Sequence, residues 1–149
     1  MKWSTDVRYA VRLLFELRQA GKPLSLAKLS DKTGITLRAM ETVHAKLKER
    51  GITDGNVGAK GGIFLTSSLD AVSLGDLVDW FDEGVQFSVC CGNKANDCPH
   101  QPVCATAATW LDVSKRVHAV LDGISLESVL KKYTMHEEIP LQKNLGLRS

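Results

Sequence analysis

Apolar residues return at three- and four-residue steps through most of the chain, and the breaks between them divide it into short helices. Val7, Ala10, Val11, Leu14 and Leu17 predict a first helix, with Ser4, Thr5 and Asp6 as cap candidates and Gly21 as its stop. Pro23 and Ser25 open a second, short segment in which Leu26 and Leu29 are apolar and Gly34 is the stop. Thr36 caps a third, where Ile35 and Met40 are spaced as a hydrophobic staple. Leu37, Met40, Val43 and Leu47 form its expected buried stripe, and Gly51 ends it. The tight link Asp31-Lys32-Thr33-Gly34-Ile35 has helix-turn-helix spacing. The period then changes: Ile52-Thr53 and Ile63-Phe64-Leu65-Thr66 read as two strands around the glycine-rich loop 54–62. A hairpin in that position, after three helices, predicts a wing rather than a plain closing hairpin.

Ser73 and Asp76 form a capping box for a fourth helix through Leu74, Leu77, Val78 and Phe81, ended by Gly84. Gly92, Pro99 and Pro102 make the next stretch irregular loop. Trp110, Val113, Val117, Val120 and Ile124 then predict a fifth helix with an apolar seam, placed to meet a second copy of the chain. Ser125 caps a sixth, with Leu126, Val129 and Leu130 apolar. From Met135 onward the chain is polar and broken by Pro140. The expected class is mainly α with a small β wing: a winged helix-turn-helix plus a long C-terminal dimerisation helix. The expected division is 1–84 for the DNA-binding unit, 85–105 for a cysteine-rich sensor loop, 106–133 for the dimerisation helices and 134–149 for a flexible tail.

Composition narrows the class. Hydrophobic residues are 44% and charged residues 24% of 149, which excludes wholesale disorder and collagen-like repeats. No apolar run spans a bilayer, and MKWSTDVRYAV carries charge where a signal core would be apolar, so a cytoplasmic protein is expected. The net charge of +2 hides an asymmetry: residues 1–70 hold 12 Lys+Arg against 7 Asp+Glu, residues 71–149 hold 7 against 10. A basic first half suits a polyanion. With the apolar stripe turned inward, the third helix offers Arg38, Glu41, Thr42, Ala45 and Lys48, and Thr36 at its start, to a major groove. Arg38 suits guanine and Glu41 a cytosine amino group, or else Glu41 is a solvated charge paired with Lys48 or Arg38. Lys28 and Lys32 suit phosphates, and in the wing Lys60, with Gly58, Gly61 and Gly62 permitting close backbone approach, suits phosphate or minor groove.

All four cysteines, Cys90, Cys91, Cys98 and Cys104, fall in one short stretch. Their clustering in a reducing compartment points to metal or redox chemistry rather than to a disulfide framework. There is no pair of close Cys-x-x-Cys or Cys/His spacings for structural zinc, whereas irregular, widely spaced thiolates suit an iron–sulfur cluster. Metal-free reactive thiols are the alternative. An enzyme is not expected, because no nucleophile–base pair, phosphate loop or Cys-x-x-Cys is present.

Taken together, MKWSTDVRYAVRLL, PLSLAKLSDKTGITLRAMETVHAKLKERG, GAKGGIFL, SLGDLVDWFDE, the spaced cysteines and GISLESVL resemble the Rrf-two superfamily of bacterial transcription regulators, over about residues 1–133. The resemblance implies a winged-helix domain and a C-terminal helix that crosses its partner in a homodimer bound to double-stranded operator DNA, acting as repressor or activator. For members of the IscR type it implies a [2Fe–2S] or [4Fe–4S] cluster on three cysteines, here Cys91 (or Cys90), Cys98 and Cys104, and a base-discriminating glutamate at Glu41. For members of the CymR type it implies control without metal, by thiols or by a partner protein. The chain departs from the pattern in several places. Ala107 stands where IscR-type members place a histidine ligand, and Arg8, before Tyr9, where NsrR-type members place an aspartate. The fourth-ligand candidates are therefore the spare thiol of Cys90 or Cys91, then His100, then His118 or an external group. One extra residue separates Cys91 from Cys98, and Val57 and Lys60 replace the usual wing arginine and glycine.

Overall fold

The structure is a computed structural model, and the residues it describes are 3–58, 61–82, 84–88, 98, 100 and 103–134. Helix α1 (Thr5–Ala20) begins where the Ser4 hydroxyl accepts from the Val7 N–H. Val7, Ala10, Leu13, Leu14 and Leu17 bury its inner face. Helices α2 (Leu26–Thr33) and α3 (Leu37–Glu49) are capped by Ser25 and Thr36, which satisfy first-turn N–H groups that would otherwise lack partners. The turn between them is held from inside. Thr33 Oγ1 donates to the Leu29 carbonyl and accepts from the Ile35 N–H, while Ser30 Oγ donates to the Ile35 carbonyl. Gly34 takes a φ of 71° there, a left-handed conformation that glycine adopts at little cost.

Strands β1 (Thr53–Asn56) and β2 (Gly62–Leu65) pair antiparallel, Thr53 opposite Leu65 and Asn56 opposite Gly62. The ladder thus reaches further into the glycine-rich stretch than expected, while Ile52 is buried just before it. A third chain segment joins this sheet: Leu24 N–H donates to Ile63 O at 3.0 Å and Ile63 N–H to Leu24 O at 2.7 Å. Gly62 allows that approach, since a Cβ there would lie 2.7 Å from the Leu24 carbonyl carbon.

A 3₁₀ turn (Leu69–Ala71) leads to α4 (Leu74–Asp82), whose capping box forms as expected: Ser73 N–H donates to Asp76 Oδ2 at 2.8 Å, and Asp76 N–H to Ser73 Oγ at 3.0 Å. Helices α5 (Ala107–Asp122) and α6 (Leu126–Thr134) complete the described chain. The starts of α4 and α6 are tied through Leu74 N–H to Ile124 O and Leu126 N–H to Val72 O. His118 on α5 bridges Asp79 on α4 (2.8 Å) and Asp122 one turn on (2.9 Å). Arg18 closes α6 against α1 through two bonds to Glu127, at 2.8 and 2.5 Å.

Three features of the packing go beyond the periodic pattern. Leu37 is 44% exposed rather than buried, because the first residue of α3 projects beyond the core that covers Met40, Val43 and Leu47. Glu16, unremarked in the pattern, is buried between Arg12 (3.1 Å) and Lys32 (2.7 Å), as a buried carboxylate requires. Of the α5 seam, Val117 packs against the core, whereas Trp110 and Val120 lie exposed on the protomer.

Two outcomes follow from this packing. Arg18→Ala removes both hydrogen bonds to the partly buried Glu127 carboxylate and leaves it only the longer Lys131 contact at 3.6 Å, so the urea midpoint should fall by the equivalent of about 1 kcal/mol. The Asp79 bond, and then the charges of Asp79 and Asp122, raise the His118 pKa above 6.5, opposed by partial burial. The protonated imidazole therefore stabilises the fold fully below the unfolded value and loses that contribution as pH rises through the folded one. Between about pH 6 and pH 8, thermal midpoints of the wild type should converge on those of His118→Gln.

Candidate nucleic-acid interface and cysteine segment

With Met40, Val43 and Leu47 turned inward, Arg38, Glu41, Thr42, Ala45 and Lys48 are all exposed on α3, as is Thr36 at its start. Among the described residues neither Arg38 nor Glu41 has an ion-pair partner. The self-neutralised arrangement of Glu41 with Arg38 or Lys48 is therefore not the one adopted. Thr42 Oγ1 donates back to the Arg38 carbonyl at 3.0 Å. Lys48 is engaged instead by Asp54 at the base of the wing, at 2.8 Å. That ammonium, followed by the Gly55 N–H, holds the Asp54 carboxyl below its usual range.

Lys28 is exposed on α2, while Lys32 is committed to Glu16. Lys60 lies outside the described residues. Gly61 and Gly62 serve the hairpin itself: a Cβ at Gly61 would meet Asn56 O at 2.2 Å, and Gly62 lies against Leu24. Val57 is fully exposed at the hairpin tip.

One contributor escaped the sequence reading. His44, one turn before Lys48, is half-buried against β1 with Nδ1 3.1 Å from Thr53 Oγ1. Burial, then the neighbouring Lys48 charge, lowers its pKa, so the ring is neutral near pH 7. The i, i+4 spacing of His44 and Lys48 was the available signal, since it puts both on one helix face.

Of the cysteines, Cys90 and Cys91 lie outside the described residues. Cys98 and Cys104 are half-buried free thiols. Cys104 Sγ is 3.3 Å from Thr106 Oγ1, directly before the first turn of α5. That hydroxyl, then the Thr106 and Ala107 backbone, lowers the Cys104 pKa and favours its thiolate. His100 is exposed. Both ring nitrogens of His118 are occupied by Asp79 and Asp122, which removes it from the ligand candidates in this conformation. Among the described residues no three His, Cys, Asp or Glu gather as a metal-binding group. No helix among them is long and apolar enough to cross a membrane.

Residues 3–132 match the Rrf2 (Rrf-two) family model, described as an iron-dependent transcriptional regulator. The chain is 31% identical over 144 residues to a putative HTH-type transcriptional regulator, ORF2, of Azotobacter vinelandii, covering 95% of this chain and 87% of the relative. It is 32% identical over 132 residues to the HTH-type transcriptional regulator IscR of Aliivibrio salmonicida, covering 87% and 77%. Among solved structures it is similar to T. potens IscR, with a TM-score of 0.68, 26% identity and coverage of 89% and 88%. It shares its fold with CymR, the global cysteine regulator of B. subtilis, with a TM-score of 0.69, 24% identity and coverage of 89% and 98%. The winged helix-turn-helix fold and a family model matched over nearly the whole chain place this protein in the Rrf2 family of transcription regulators, not among enzymes.

Proposed function

We propose that this regulator binds operator DNA as a homodimer through α3 and the wing, and that an iron–sulfur cluster on the cysteine segment sets its affinity. The observation that carries the DNA reading is the exposed pair Arg38 and Glu41 on the first half of α3, one turn apart and without ion partners among the described residues. Cations alone suffice for phosphates. A carboxylate facing DNA gains only where a base amino group donates to it, so Glu41 marks base reading. Exposed Trp110 and Val120, on neighbouring sides of α5, supply apolar surface for a second copy.

The donor set fits a cluster. Cys98 and Cys104 are free and within reach of solvent, Cys104 is held toward the thiolate that iron requires, and Cys91 or Cys90 is the third donor in sequence. When bound, the cluster supplies an iron centre responsive to redox state and small ligands. Cys104 stands three residues before α5, so any change in how its thiol is held acts on the start of the helix that carries the apolar face. The acidified Cys104 also supports a second reading, a metal-free thiol switch on the same regulator.

Glu41→Ala should relax preference at one operator position by about 1–3 kcal/mol, read by selection from random duplexes, with the salt dependence unchanged. An unaltered preference removes Glu41 from base reading. Protein purified without oxygen should carry iron and acid-labile sulfide in near-equal amounts, about two or four per protomer, and Cys104→Ala should lose both. Background levels after attempted reconstitution defeat the cluster reading and leave the thiol switch.

A further inference from the structure

The cations around the recognition helix are, with few exceptions, already in use. Lys46 sits 5.1 Å over the Phe81 ring and Arg50 5.8 Å over Trp80, both turned toward α4. Lys32 is held by Glu16. Lys48 lies on the same exposed face as Arg38 and Glu41, yet its ammonium is 2.8 Å from Asp54 Oδ1. Asp54 is itself fixed. Its Oδ1 accepts from the Gly55 N–H at 2.7 Å, and the preceding residue, Thr53, is buried and bonded to His44 one turn before Lys48. The strand and the helix are thus pinned in register so that one carboxylate meets one ammonium.

Free lysines on a DNA-facing helix bind any duplex, because they read phosphate, and phosphate contacts raise affinity without adding sequence information. We infer that Asp54 is a specificity-determining residue: it occupies Lys48 as a phosphate would and so withholds from α3 a grip on DNA of arbitrary sequence. The inference rests on the proposed DNA-binding role of α3. Half-exposed ion pairs of this kind are weak, so their effect on folding is small. The effect on DNA is larger, because an unneutralised Asp54 also faces the phosphates with a like charge whenever Lys48 leaves it. Arg38, held by no carboxylate among the described residues, remains available for base edges.

Asp54→Asn tests this in the full chain. The asparagine Oδ1 keeps the Gly55 bond, so an unchanged unfolding midpoint is expected. Binding is measured by fluorescence anisotropy, across salt concentrations, to a duplex selected by the wild type and to a scrambled duplex. For scrambled DNA the variant should bind several-fold tighter at low salt, and its log–log salt slope should steepen by about 0.9 per protomer, one added phosphate contact. The selected duplex should gain less, so the ratio between the two falls. Adding Lys48→Met to Asp54→Asn should abolish the gain. An unchanged slope, an equal gain on both duplexes, or a gain that survives Lys48→Met overturns the proposal. Wild-type protein with no preference for any selected duplex defeats the DNA-binding reading instead.

Discussion

Seven of the sixteen residues of α1 are buried, six of them apolar, and no single neighbour covers them all. The helix packs against α2, α3, α4 and β2, and Arg18 adds α6. Each contact is local in space but distant in sequence, so α1 is the element through which the helix-turn-helix, the wing and the C-terminal helices share one core. Its polar edge does comparable work. Glu16, taken out of water, demands Lys32 and Arg12 and thereby fastens α2, while Ser4 N–H bonds Asp82 and fastens the end of α4. The orientation of α3 is thus set in large part by its packing on α1.

On that scaffold α3 is exposed along one side only, and what is left on that side is selective. Basic residues near its end turn to aromatic rings on α4 or to Asp54, while in its first half Arg38 and Glu41 are exposed and have no ion-pair partner among the described residues. The distribution separates residues that hold the helix in place from residues left exposed, at opposite ends of the same thirteen.

Much of this was legible in the residues. Caps at Ser4, Ser25, Thr36 and Ser125, the capping box of Ser73 and Asp76 and the helical stops are short-range chemistry, and the helices begin and end where that chemistry places them. What escaped was long-range. Periodicity assigned Leu37 to the core because it cannot tell where a helix outruns the surface beneath it. Glu16 was not singled out, because the lysine that completes its pairing comes from another helix. Leu24 gave no strand signal, since a one-residue pairing has no period. At the candidate site the exposed positions on α3 were readable from the same stripe, but the pairing of Lys48 with Asp54 depends on where the hairpin folds back, which spacing alone does not encode.

The backbone pairing of Leu24 with Ile63 divides the wing into parts with different freedoms. Below it, Ile63 and Thr53 are buried, and a substitution there disturbs the core. Beyond it, Val57 touches almost nothing, so the fold imposes no requirement on the side chain at that position. Replacements there leave folding intact and alter only what the hairpin meets. The tip can therefore vary in sequence without a compensating change in the core, whereas the base cannot.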